Sequence, residues 1–195
     1  MKKMILGVKH SEVKLIDHNP EWETNAKYTI KQLWNIFGTT VKDIQHIGST
    51  AIHHIKAKPV IDIAVLTQDF EKVLTLSPVL EEKGFFFIGW EGKENKQPVF
   101  QCGEYVQGEN NMRVLTHYIH IVMQGNRQWN NYINFRDYMN AFPDVAIEYE
   151  ALKLKLADEN KNGGNLHTYH DGKRDYVERL IDVANNWNDS GRNIL

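Results

Sequence analysis

The sequence predicts a mixed α/β (α+β) fold, a β-sheet flanked by helices, and three observations support it. Residues 60–66 form an almost wholly apolar, β-branched run, which is typical of a central strand buried on both faces. Segments with helical periodicity precede, separate and follow the predicted strands. The composition is that of a globular protein, with 42% hydrophobic and 25% charged residues.

The first predicted element is a helix over residues 20–37. Asn19 is a suitable N-cap and Pro20 a favoured first helical residue, and Gly38 supplies a stop. Apolar residues recur at helical spacing and predict a stripe that faces the core: Trp22, Ala26, Ile30, Leu33 and Phe37.

A strand over residues 43–47 and the central strand over residues 60–66 follow. Period-2 alternation in the central strand places Asp62 and Ala64 on one face, and Ile61 and Ile63 on the other.

The rest of the chain alternates between predicted helices and strands. The elements are a helix at 70–83, a strand at 85–90, a hairpin in 91–112 with a mobile tip at 108–111, a strand at 113–123, and helices at 128–140, 143–159 and 168–187. Residues 162–165 are the most linker-like spot. Because the flanking helices should pack on the same sheet, we expect one domain over residues 1–195, with its core at about 13–187.

Charge and cysteine content exclude several protein classes. The net charge is −2, from 23 Lys and Arg against 25 Asp and Glu, so we expect no extended nucleic-acid surface. The single cysteine, Cys102, cannot form an internal disulfide, which fits a reducing cytoplasm. Since no apolar run is long enough for a membrane helix, we predict a cytoplasmic protein without membrane contact, and the oligomeric state stays open.

Asp62 is the most informative residue because it interrupts an apolar strand. A buried ionised carboxylate is costly unless it is paired or binds a metal. One interpretation is a structural ion pair with Lys58 or an arginine. The other is a metal-binding or catalytic carboxylate.

A Gly48-Ser49 turn precedes Asp62, with twelve residues between Ser49 and Asp62. Glycine lets the backbone approach a ligand closely, and the amides and hydroxyl groups of such a turn, including that of Thr50, can hold phosphate oxygens. This spacing resembles the signature of nucleotidyltransferases, in which the glycine and serine hold phosphates and paired acidic residues hold magnesium.

Further motifs sharpen this resemblance to a family. HIGSTA at 46–51 and AKPVIDI at 57–63 resemble the core motif of the GrpB family, and NPEW at 19–22, THYIH at 116–120 and FRDYM at 135–139 resemble other motifs of that family. The resemblance covers residues 13–184 and implies a nucleotidyltransferase-like fold with a pocket for a nucleotide or another phosphorylated small molecule.

Ala64 departs from the pattern that the nucleotidyltransferase resemblance implies. Enzymes of this fold carry a second acidic residue two positions after the first, on the same strand face, where this chain has Ala64. One carboxylate can still help to bind Mg²⁺, but two-metal catalysis would lack a ligand. The chain is therefore either a nucleotidyltransferase or a non-catalytic binding or regulatory protein; if another residue supplies the ligand, Glu91 and Asp137 are candidates.

Histidines offer an alternative set of metal ligands. A regular strand points His117 and His120 to opposite faces, whereas a bulge could bring them together, and His46 could join them. Together with Asp62, His117 and His120 would favour Zn, Ni or Mn over Mg²⁺. A hydrolase based on these histidines is a weaker interpretation because the sequence has no His-Glu-x-x-His motif.

The remaining candidates are basic or aromatic. Arg136 and Asp137 could instead form an ion pair that holds a helix on the sheet. Tyr149 and Lys153 could be ordinary packing at i,i+4 spacing. The candidate phosphate or pocket residues are Lys58, Arg113, Arg136, Tyr149, Lys153 and Lys173.

Overall fold

A six-stranded mixed sheet lies at the centre of the part of the chain that the computed structural model describes, residues 6–9, 12–92, 96–105, 113–161 and 166–192. The strands are β1 (Val8–Lys9), β2 (Val41–Ile47), β3 (Ile61–Thr67), β4 (Phe85–Glu91), β5 (Gln97–Tyr105) and β6 (Arg113–Met123). The strand order is β2-β3-β6-β5-β4, and β1 pairs with β6. β3 and β6 are parallel, and the other pairs are antiparallel.

Helices cover both faces of this sheet, which confirms the predicted fold class. The helices are α1 (Glu21–Phe37), α2 (Phe70–Thr75), α3 (Ser77–Glu82), α4 (Arg127–Ala141), α5 (Pro143–Lys161) and α6 (Leu166–Asp189). α1 packs on one face of the sheet, and α4 lies on the other, where it contacts α5 and α6.

The two faces of β3 separate the core from the cleft, as its alternation predicts. Ile61 and Ile63 are fully buried and pack in the cluster that contains Leu33 of α1. Asp62 points to the opposite face, where it lines a cavity together with residues of α4 and α6. The apolar face therefore anchors the strand while the other face carries a carboxylate to the cleft.

The structure corrects the prediction of one helix over residues 70–83. The chain forms α2 and α3, separated at Leu76, and Pro78 lies in the first turn of α3. Proline has no N–H to donate and its ring clashes with the carbonyl four residues earlier, so one continuous helix is disfavoured here.

β5 was not predicted as a separate strand. Gln97 and Gln101 break the apolar alternation, although both are buried, and Val99 and Phe100 are buried beside them. β1 was not predicted either, because two residues are too few to show a period. The predicted tip at 108–111 and linker at 162–165 lie outside the described residues.

The described helices include none with the length and apolarity of a membrane span.

Candidate functional site

Gly48 holds the turn after β2 directly against Asp62. β2 and β3 are antiparallel, with Ile47 opposite Asp62, so the turn emerges beside the first residues of β3. Gly48 has φ +71°, and a Cβ at this position would lie 2.4 Å from Asp62 Oδ2. Only glycine combines this left-handed conformation with so close an approach of backbone to carboxylate.

Two adjoining cavities of about 390 and 830 Å³ form a cleft beside this turn. Ser49 and Asp62 line both cavities, and the Ser49 hydroxyl lies 3.5 Å from the Tyr149 hydroxyl. Gly48 lines the larger cavity. The structure thus brings the two predicted parts of the site, the Gly48-Ser49 turn and Asp62, to one cleft.

His120 is the ionisable partner of Asp62. Its Nε2 lies 3.4 Å from Asp62 Oδ1, because β3 and β6 are parallel and place His120 beside Ala64 in the register. Its ring lies against those of Tyr118 and Tyr132, at centroid distances of 6.2 and 5.6 Å. Its Nδ1 is buried and has no hydrogen-bond partner among the described residues. The side chain next to the Asp62 carboxylate is therefore His120, not the Lys58 or arginine that the structural interpretation expects.

Three lysines line the smaller cavity: Lys58, Lys153 and Lys173. Lys153 is 1% exposed, and its Nζ donates to the Lys56 carbonyl and lies 4.7 Å from the centroid of the Tyr149 ring. Burial, followed by the charge of Lys173, lowers the pKa of Lys153 to about 7. Mutually repelling ammonium groups around one cavity would be stabilised by an anion.

Lys58 and Lys173 share an aromatic neighbour. The Nζ atoms of both lie over the Tyr169 ring, 5.9 and 5.2 Å from its centroid. Burial and the nearby Lys173 lower the pKa of Lys58. The i,i+4 pairs Tyr149–Lys153 and Tyr169–Lys173 are thus packed pairs whose ammonium groups also line the cavity.

The described part of the cleft offers few protein ligands for a metal ion. Within the described ranges, no three His, Cys, Asp or Glu side chains are grouped as they would be around a metal ion. Asp62 with His120 alone does not fit Zn or Ni, which take most of their ligands from protein. One carboxylate does fit Mg²⁺ that is shared with ligand phosphates and water.

The position two residues after Asp62 supplies no second carboxylate. Ala64 is fully buried and offers no ligand. Glu91 lines the smaller cavity, whereas Asp137 is paired with Arg136 and Arg192.

His117 lies on the opposite face of the sheet from Asp62 and His120, so no bulge unites the two histidines. It shares the face of Ile119, its Nε2 is 3.1 Å from Thr29 Oγ1 of α1, and its Nδ1 is 2.9 Å from Thr116 Oγ1. Burial lowers its pKa to about 4. The metal role considered for His117 is thus not supported by its position.

His46, Thr50 and Arg136 do not line either cavity of the cleft. His46 Nε2 is 3.0 Å from Thr50 Oγ1, and burial lowers the pKa of His46 to about 4. Arg136 donates to the Gln45 side chain and the His46 carbonyl, which ties α4 to β2. The side chain of Arg113 lies outside the described residues.

The cleft-lining residues that sequence reasoning missed include Tyr118, Tyr132 and His170. Tyr118 is two residues from His120 on the same strand, and His170 is three residues from Lys173 on the same helix. Their spacing to predicted residues was therefore a usable signal for both. Tyr132 carries no such signal.

Comparisons with known proteins agree on one family. The family model described as GrpB protein matches residues 12–182. The glutamate-rich protein GrpB of Alkalihalophilus pseudofirmus is 36% identical over 178 residues, covering 91% of this chain and 98% of that protein. The crystal structure of the conserved protein GrpB from Enterococcus faecalis is similar with a TM-score of 0.75 and 25% identity, covering 88% of this chain and 96% of that chain.

A weaker likeness concerns the fold alone. The Cid1 poly(U) polymerase has a TM-score of 0.49 and 13% identity, over 75% of this chain and 44% of that chain. The family model and the GrpB relatives cover nearly the whole chain. The chain therefore belongs to the GrpB family.

Proposed function

We propose that the cleft binds a nucleotide or another phosphorylated small molecule. The observation that carries this proposal is the convergence of Lys58, Lys153 and Lys173 with Ser49 on a cavity that also contains Asp62. Phosphate groups would neutralise the three ammonium charges, which otherwise repel one another in a partly dry site. The adjoining cavity of about 830 Å³ has room for the rest of such a ligand.

Each part of the site has a distinct role in this proposal. The Ser49 hydroxyl donates to a phosphate oxygen, and the lysines hold the remaining phosphate charge. Asp62 would hold a Mg²⁺ that arrives with the phosphates, and this ion would supply further charge neutralisation. The Tyr118 and Tyr132 rings, with His120 between them, form an aromatic wall against which an apolar or ring-shaped part of the ligand can pack.

Nucleotidyl transfer is a second candidate, favoured by the Asp62–His120 pair. A substrate hydroxyl would attack the α-phosphorus, one P–O bond would form, and the bond to the departing pyrophosphate would break. His120 could take the hydroxyl proton, with Asp62 stabilising the resulting imidazolium. Because Ala64 removes the second carboxylate, we expect transfer to be weak or absent while binding remains.

A ligand screen tests the proposal. Thermal unfolding is measured with nucleoside triphosphates, diphosphates and sugar phosphates, each with and without Mg²⁺. A ligand at 100 times its Kd should stabilise the protein by about 2.7 kcal/mol. Lys173→Ala should remove the shift, whereas Lys155→Ala, at an exposed lysine on α5, should retain it. Equal shifts for both variants would contradict the proposed site.

A further inference from the structure

The helix α4 presents two carboxamide side chains to the larger cavity of the cleft. Gln128 and Asn131 are three residues apart, so they are neighbours on the helix surface, and both line this cavity. Each is partly buried, and neither belongs to the lysine-lined smaller cavity. A carboxamide carries a hydrogen-bond donor and an acceptor, so two of them side by side can match a ligand that offers both.

Asn131 is held by a chain of side-chain amides that connects α4 to α6. Asn134 Nδ2 donates to Asn185 Oδ1 at 2.8 Å, and Asn185 Nδ2 donates to Asn131 Oδ1 at 2.8 Å. Asn134 is 6% exposed, so the chain begins in the protein interior and ends at the cavity. Because Asn131 Oδ1 accepts from α6, the orientation of the amide is set, and Nδ2 is the end that can donate to a ligand.

Gln128 belongs to a second hydrogen-bonded group, which connects α4 to the sheet. The Tyr132 hydroxyl accepts from Gln97 Nε2 of β5 at 2.9 Å, and it is also hydrogen-bonded to the Gln128 side chain. Gln97 is 7% exposed, so this group also begins at a buried amide. Burial raises the pKa of Tyr132, so the phenol is protonated at neutral pH. Both carboxamides of α4 are thus held in place by buried polar side chains.

Aromatic side chains line the same cavity as these amides. They are Tyr132, Phe135 and Tyr149. The Phe135 and Tyr149 rings are perpendicular, with their centroids 5.8 Å apart, and the Tyr132 ring lies 5.6 Å from that of His120. A planar ring of a ligand can pack against such side chains while its polar edge reaches the amides of α4.

We propose that Gln128 and Asn131 recognise the edge of a planar heterocycle that carries both hydrogen-bond donors and acceptors, as a nucleobase does. This inference rests on the proposed phosphate site, and it makes the ligand of the cleft a nucleotide rather than a sugar phosphate or an inorganic polyphosphate. Carboxamide side chains pair with base edges through a donor and an acceptor at once.

The two cavities then have separate tasks. The lysines of the smaller cavity hold the phosphates, which all nucleotides share, whereas Gln128 and Asn131 select the base. A ligand that fills the larger cavity without matching groups leaves these partly buried amides without water and without a partner, which costs free energy. Gln128 and Asn131 are therefore specificity-determining residues, and their effect differs from one base to another.

Calorimetric titration of the whole chain with ATP, GTP, CTP, UTP and inorganic tripolyphosphate, each without Mg²⁺, tests the proposal. We expect wild type to bind one of the nucleotides at least tenfold tighter than tripolyphosphate, and the affinities of the four nucleotides to differ. Asn131→Ala should weaken binding of the preferred nucleotide about tenfold and leave the affinity for tripolyphosphate unchanged. Gln128→Ala should have the same effect, although it leaves the chain from Asn134 to Asn131 intact.

Asn130→Ala is the matched control, since Asn130 is the preceding residue of α4 but is exposed and lines neither cavity of the cleft. This variant should keep the nucleotide preference of wild type. Equal affinities for the four nucleotides, no preference over tripolyphosphate, an unchanged preference in both other variants, or loss of the preference in Asn130→Ala would each overturn the proposal and leave the phosphate site in place. If wild type bound neither tripolyphosphate nor any nucleotide, the proposed function would fail, and this inference with it.

Discussion

Lys153→Met tests whether the buried lysine belongs to an anion site. Burial and the charge of Lys173 lower the pKa of Lys153 to about 7, and Glu150 opposes this shift. A phosphate in the adjoining cavity would hold the ammonium group charged and raise its pKa again. Ligand binding above pH 7 should therefore take up a proton at Lys153.

The expected change in Kd with pH follows from this pKa and from the ordinary value of 10.5. If bound phosphate restores the ordinary value, the Kd should rise up to about fiftyfold between pH 7 and pH 9, since one pKa unit corresponds to about 1.4 kcal/mol.

The lowered pKa of Lys153 also makes the stability of the free protein depend on pH. The unfolded chain keeps the proton of Lys153 up to its ordinary pKa, whereas the folded chain loses it above pH 7. The contribution of Lys153 to the free energy of unfolding should therefore rise by about 2 kcal/mol from pH 7 to pH 9, and this gain is lost as the pH falls back towards 7. In Lys153→Met, the Lys153 contribution to both pH dependences should disappear.

Calorimetric titration at three pH values, in two buffers with different ionisation enthalpies, measures Kd and proton uptake together. The matched control is Lys155→Met, since Lys155 lies on the same helix but is exposed. Lys155→Met should show the same Kd and the same proton uptake as wild type. The reasoning is refuted if Lys153→Met retains the proton uptake of wild type, or if Lys155→Met loses it as well.

Three substitutions around the turn give further predictions. Gly48→Ala should destabilise the protein by roughly 2–4 kcal/mol in denaturant titration, because it adds left-handed strain and a clash with Asp62; a loss below about 1 kcal/mol would contradict the close approach. Asp62→Asn should cost about 1 kcal/mol or less, since its pair with His120 is partly exposed, but it should abolish any effect of Mg²⁺ on ligand binding; a large fall in Tm with the Mg²⁺ effect retained would count against this role. Ala64→Asp should lower the Tm of the free protein through repulsion with Asp62, and Mg²⁺ should restore it; no response to Mg²⁺ would show that position 64 does not face a metal.

Local patterns predicted much of the fold. The stripe in α1 and the alternation in β3 are repeated over several residues, so the buried face could be assigned from sequence. β5 was not predicted, because Gln97 and Gln101 are polar residues in buried positions. Their burial depends on pairing with β6, which no local sequence pattern shows. The break at Leu76 could have been foreseen from Pro78.

The part of the candidate site formed by one strand and the turn before it could be predicted from the sequence. The spacing from Gly48 to Asp62 is local information, and the structure places the two in contact. Which of His117 and His120 faces Asp62 depends on the register of β6 against β3, which no local pattern reveals. The grouping of Lys58 with Lys173 depends likewise on the packing of α6 and could not be read from spacing.

The most direct test of the central claim is one calorimetric titration of a nucleoside triphosphate into wild type and into Lys173→Ala, each without Mg²⁺. Lys173 lines both cavities and shares the smaller one with Lys58 and Lys153, so it should contribute to phosphate binding without the metal. We predict binding of one ligand by wild type and a Kd at least tenfold higher for Lys173→Ala, as expected for loss of a charge-assisted contact. Equal affinities, or no binding of the triphosphate by wild type, would contradict the claim that this cleft is a phosphate site.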